Sequence, residues 1–153
     1  HWPATDSLTL GVNAGYLSAK YVKYQITSPV LAVDNLDNTR MVNSPELQMA
    51  FTADIDQPVN DRLRLVANAV VSHTSEVLFL PSGLRGVIPG PSYWLVNARL
   101  GVRTADDRYG VSVYANNLFN QPYYVGGNSA AGFGTFLAWG NPRIVGAEFT
   151  AKF

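Results

Sequence analysis

His73 is the one internal histidine of this 153-residue chain, and Ser72 stands beside it. Such a neighbour invites comparison with a hydrolytic site, where a base activates a nucleophile and a third group orients the base. In a β-strand, however, adjacent side chains diverge to opposite faces, so Ser72 points away from His73. Asp and Glu pairs occur, but none sits in a recognisable catalytic motif. The expectation is no catalytic residue and no enzyme. Metal sites gather several ligands, whereas His73 is isolated and cysteine is absent. Neither a metal nor a cofactor is expected.

A second group lies between Gln121 and Asn141, a stretch rich in glycine that carries Tyr123, Tyr124, Phe133, Phe136 and Trp139. Glycine lets backbone approach a ligand, and aromatic rings offer flat contact surfaces with a polar rim. These five residues are candidate ligand contacts, with Arg40 and Arg85 in other loops as attractants for an anionic cargo. The competing reading is an aromatic girdle at a membrane interface. Asn116 and Asn117 read as strand-end side chains that tie down the adjoining loop.

The elements that position these residues follow from composition and periodicity. Eleven basic residues balance eleven acidic ones, which argues against a nucleic-acid partner. Hydrophobic content is 47%, charged content only 14%, and Val, Tyr, Phe, Thr, Gly and Asn are plentiful, a β composition. No run approaches the ~18 apolar residues of a membrane-spanning helix, and no secretory signal opens the chain. Because the first residue is His1, the chain reads as a piece of a longer precursor.

Period-two alternation predicts six strands, over about 7–25, 45–56, 61–76, 92–104, 108–119 and 142–153. One face reads Leu8, Leu10, Val12, then Met49, Phe51, Ala53, then Ala67, Ala69, Val71, and ends Phe149, Ala151, Phe153. It carries no charge. Asp54, Asp56, Arg64, Arg99, Arg103, Glu148 and Lys152 all fall on the other face. A charge facing lipid near the midplane would cost ~2–4 kcal/mol, so this segregation points to a membrane wall. The charged residues would face a lumen and a plug, or form only a hydrated wall network.

Connections alternate in length. Asp56–Asp61 and Thr104–Arg108 are short and polar, whereas Ile26–Ser44, Glu76–Ser92 and Phe119–Pro142 are long. Outer-membrane barrels have short periplasmic turns and long extracellular loops. A soluble antiparallel sandwich also alternates. Loop asymmetry, alanine-rich uncharged faces and an apolar last residue favour the barrel. Closed barrels begin at about eight strands, so upstream strands are expected to complete this one.

Two segments carry a family resemblance. The run from Arg108 to Tyr124, RYGVSVYANNLFNQPYY, resembles the penultimate-strand signature of TonB-dependent receptors, with Asn117, Leu118, Phe119 and Tyr123 or Tyr124 in the family's places. GNPRIVGAEFTAKF resembles their terminal strand, opened by Pro142 and Arg143 and ended by Phe153. Tyr93–Arg103 is similar to the strand before the signature, and Asn43–Glu46 to the approach to an earlier hairpin. The resemblance implies an all-β transmembrane barrel of about 22 strands with a plugged lumen, of which this chain supplies the last six. It implies a bacterial outer-membrane receptor for a scarce nutrient, a ferric siderophore first, with cobalamin, haem or a saccharide as alternatives. The implied partners are the TonB–ExbB–ExbD complex, the receptor's own plug, outer-membrane lipid and the barrel-assembly machinery. That machinery would read Phe149, Ala151 and Phe153. Neither plug nor TonB box is found in these residues.

Overall fold

A computed structural model describes residues 2–25, 35–81, 89–130 and 133–153. Its strands are β1 (Trp2–Thr5), β2 (Leu8–Tyr16), β3 (Leu47–Pro58), β4 (Leu63–Thr74), β5 (Val77–Leu78), β6 (Pro89–Gly90), β7 (Tyr93–Thr104), β8 (Tyr109–Asn116), β9 (Tyr124–Ala130), β10 (Gly134–Trp139) and β11 (Ile144–Ala151). Seven form one antiparallel sheet in the order β1-β2-β3-β4-β7-β8-β11. The sheet is open, with β1 and β11 at its edges. Pairs β5–β6 and β9–β10 stand apart from it.

Register converts the sequence pattern into two faces. Thr9 lies opposite Asp54, Asp54 opposite Asn68, and Asn68 opposite Arg99. Arg99 then lies opposite Tyr114, in line with Gly146. Every charged strand residue expected on one face is found there. The other face carries Val12, Phe51, Val71, Val96 in one row and Leu100, Val113, Ala147 in another.

No second layer covers the uncharged face among the described residues. Phe149 is 71% exposed, Val145 67% and Val12 65%, and among the described residues the only buried hydrophobic one is Leu36, in the β2–β3 connection. A water-soluble sandwich buries this face against another sheet. Here the sheet is a single wall whose apolar side is uncovered among the described residues.

The three short turns lie at one end and use polar side chains as braces. Thr5 Oγ1 accepts from the amides of Ser7 and Leu8. Asn60 Oδ1 accepts from Arg62 and Leu63. In the β7–β8 turn, Asp107 adopts a left-handed φ of 61° and Arg108 N donates to Asp106 Oδ1. All long connections are at the opposite end.

Three details differ from the sequence reading. β1 adds an edge strand too short for its period to show. The first predicted strand, 7–25, ends at Tyr16, the last residue paired with β3; beyond it, Lys20 bridges Arg40 and Gln25 bridges Asn35. The Gln121–Asn141 connection, read as a loop, contains the β9–β10 hairpin. Its glycines had masked the alternation.

Candidate functional site

The charged face is densest beside the short turns. Asp56 on β3 shares its carboxylate between two strands: Oδ1 accepts from Arg64 Nε at 2.7 Å, and Oδ2 from Arg103 Nη2 at 2.5 Å. Arg103 also pairs with Asp107, whose other oxygen lies 3.2 Å from Lys152 Nζ beyond β11. The result is one chain of alternating charge, Arg64–Asp56–Arg103–Asp107–Lys152, running across the sheet. Nearby, Arg99 Nη2 meets Glu148 at 2.7 Å while its Nε donates to Ser112 Oγ at 3.0 Å. Asn68 Nδ2 donates to Asp54 at 2.7 Å.

Most of these groups, though not Arg64 or Glu148, line a cavity of about 460 Å³, with Asp6, Thr9, Asp54, Asp56, Arg99 and Arg103 in its walls. The hydrogen bond from Arg103, then that from Lys152, holds the Asp107 carboxyl below its ordinary range. The Thr104 hydroxyl and the Arg108 amide do the same for Asp106. Each charge in the chain has an opposite partner, so the arrangement braces the wall and presents no activated nucleophile. The sequence reading missed Asp107, whose role depends on a turn placing it between β7 and the C-terminal residues.

The Asn-Leu-Phe-Asn stretch turns out to be a latch. Asn117, 5% exposed and at φ 50°, accepts from Gln121 N (2.8 Å) and donates from Nδ2 to the carbonyls of Gln121 (2.9 Å) and Asn141 (3.1 Å). Its own amide donates to Asn97 Oδ1 on β7 at 2.9 Å. Asn120, at φ 53°, accepts from Arg143 N at 2.9 Å. Asparagine suits both tasks, since it tolerates left-handed backbone and offers donor and acceptor together. The neck of the β9–β10 hairpin is closed by these bonds, in the loop-tying role expected of Asn117.

The candidate ligand contacts do not form one cluster. Tyr123 stacks on Tyr93 with ring centroids 4.7 Å apart. Tyr93 is on the charged face, opposite Thr74, and the Tyr123 ring fills the space that a Cβ at Gly140 would need. Tyr124 and Trp139, register partners in the hairpin, form a separate pair at 4.5 Å. Phe133 and Phe136 are exposed on the hairpin. Arg40 is held by Glu46 (3.9 Å) and Glu76 (3.5 Å) and donates to the carbonyls of Ser44 and Glu76. Arg85 lies outside the described residues.

His73 sits on the uncharged face between Met49 and Trp94 in register, its ring 4.5 Å from that of Trp94. Ser72 is on the other face, opposite Leu95. No group of three or more His, Cys, Asp or Glu residues suited to a metal ion occurs among the described residues. Phe149 and Ala151 lie on the uncharged face of β11, and Phe153 follows fully exposed.

One open antiparallel wall, charged on one side only, with stiff short turns at one end and long connections at the other, is the construction of a transmembrane β-barrel segment. Among solved structures, the chain is similar to the ferric yersiniabactin uptake receptor FyuA from Yersinia pestis, with a TM-score of 0.78 at 16% sequence identity. The match covers 99% of this chain and 22% of that receptor, so the chain spans about a fifth of it. That likeness shows the fold, a portion of an uptake receptor's β-barrel, which is the fold the resemblance implied. No family model and no curated protein matches the chain.

Proposed function

We propose that residues 1–153 form part of the barrel wall of a TonB-dependent receptor in a bacterial outer membrane, one that imports a scarce nutrient. The observation that carries this reading is the uncharged face, continuous over the main strands and uncovered by protein, on a fold shared with an uptake receptor. A wall of this kind contributes lipid contacts, loops and inner surface, and no bond-breaking chemistry. Asp54, Arg64, Arg99, Arg103 and Glu148 face the lumen and the plug. Tyr123, stacked on Tyr93 of the charged face, would meet cargo from within. Tyr124 and Trp139 suit the interfacial girdle, and Phe133, Phe136 and Arg85 remain candidate cargo contacts.

The favoured cargo is a ferric siderophore, by likeness to a receptor that takes up ferric yersiniabactin. Energy would come from the TonB–ExbB–ExbD complex acting through an N-terminal region outside these residues. Phe149, Ala151 and Phe153 would be read during barrel assembly.

The test is expression of the full parent gene in an outer-membrane bacterium. The expected product is a heat-modifiable outer-membrane protein that restores uptake of a ferric siderophore in iron-starved cells, only when TonB is present. Uptake of cobalamin, haem or a saccharide instead would keep the receptor and change the cargo. A soluble, monomeric product would overturn the membrane reading. Deleting Phe153 is expected to lower insertion without altering synthesis.

A further inference from the structure

Residues Glu76–Phe79, which begin the β4–β7 connection, touch both other long connections and the far end of their own. Glu76 pairs with Arg40 of the β2–β3 connection, and the Leu78 carbonyl accepts from Asn43 N of the same connection at 2.8 Å. One residue further, the Phe79 ring lies against two glycines from different segments. A Cβ built at Gly90 on β6 would stand 2.8 Å from its ring edge, and one at Gly127 on β9 would stand 3.1 Å from it. Leu137, across the hairpin from Gly127 in register, closes the same contact at 3.3 Å. Aromatic rings pack over strand glycines because the missing side chain exposes a flat backbone.

We propose that Glu76–Phe79, the start of the β4–β7 connection, is a strap that ties this connection to the other two long ones, and that Phe79 is the positioning residue for the β9–β10 hairpin. The hairpin's neck is closed by Asn117, but a neck alone leaves a two-stranded arm free to swing, and isolated hairpins are marginal in water. Phe79 supplies the second point of attachment. Resting on the receptor reading, the consequence is that cargo meets a preassembled surface, in which Phe133 and Phe136 are carried by a fixed arm.

The geometry offers a direct test. Phe79 Cβ lies 3.4 Å from the Cβ position at Gly127, close to the ~3.5–4.5 Å that a disulfide requires. In the full-length parent protein, the double variant Phe79→Cys, Gly127→Cys is expected to cross-link under mild oxidation, seen as a gel shift reversed by reductant. Single variants are expected not to shift. Hydrogen exchange of the parent protein in micelles then tests positioning. Phe79→Ala is expected to speed exchange in β9 and β10 by about tenfold and to leave the β3–β4 ladder unchanged. Phe79→Leu, which keeps apolar volume without a flat ring, gives the same readout where Phe79→Ala does not assemble. Failure of the cross-link, or unchanged hairpin exchange in both variants, overturns the strap. Neither readout uses cargo, so each can fail while the receptor reading stands, and the reverse.

Discussion

Arg103 on β7 and Asp56 on β3 are joined at 2.5 Å although a whole strand, β4, lies between them. Neighbouring strands are ~4.8 Å apart, so the pair spans two spacings, and only a side chain as long as arginine reaches. Register sets Arg103 opposite Arg64, two like charges that Asp56 separates by accepting from both.

That sharing gives Asp56 a larger role than either arginine. Asp56→Ala leaves Arg64 and Arg103 facing each other and is expected to cost about 1–2 kcal/mol. Arg64→Ala breaks one half-exposed pair and is expected to cost less than ~1 kcal/mol. Urea unfolding of the parent protein in micelles checks the order. Equal costs would mean that Asp56 is not shared.

The chain of charge ends on Asp107, whose carboxyl is held below its ordinary value of 3.8, first by Arg103 and then by Lys152. A lowered folded value makes Asp107 bind protons less readily in the native state. Its contribution is therefore complete above the ordinary value and is lost as pH falls through the lowered one. The residues after β11 are expected to loosen below about pH 4, read by hydrogen exchange of the Lys152 amide, which donates to the Arg108 carbonyl. Asp107→Asn is expected to loosen them at neutral pH and remove the acid transition.

Adjacent positions on β4 should respond oppositely to charge. Ala69 lies mid-strand on the uncharged face and Val70 on the charged one. Ala69→Lys is expected to cost ~2–4 kcal/mol in a bilayer and Val70→Lys close to nothing. Folding yield into vesicles separates them. Similar yields would reassign the faces.

Asn117 is the least replaceable residue at the loop end. Asn117→Ala removes all three of its side-chain hydrogen bonds and puts a Cβ-bearing residue without a helper at φ 50°. A loss of about 2–4 kcal/mol is expected, from an unsatisfied neighbour and backbone strain together. Asn117→Gly relieves the strain and is expected to lose less. Thermal melting of the two variants tests the ranking.

The alternation of residue types, by itself, marked the main strands of the sheet, its two faces and the end at which short turns gather, but not β1 or the β9–β10 hairpin. A side chain's face depends only on its parity along a strand, so Asp54, Arg64, Arg99, Arg103 and Glu148 could be sorted before any pairing was known. The Asn-Leu-Phe signature and the Pro142–Phe153 segment likewise marked the kind of fold, since both encode local backbone demands. Tertiary structure alone decided which partners those residues meet. Parity says that Asp56 and Arg103 share a face, but their contact across β4 needs the register of two hairpins at once. The β9–β10 hairpin, the separation of Tyr123 from Tyr124 and Trp139, and the seat of Phe79 on Gly90 and Gly127 were equally invisible. The hairpin runs through glycine-rich backbone that pattern leaves unmarked, and the Phe79–Gly127 contact joins residues far apart in sequence, so it exists only once the strands have set where every loop begins and ends.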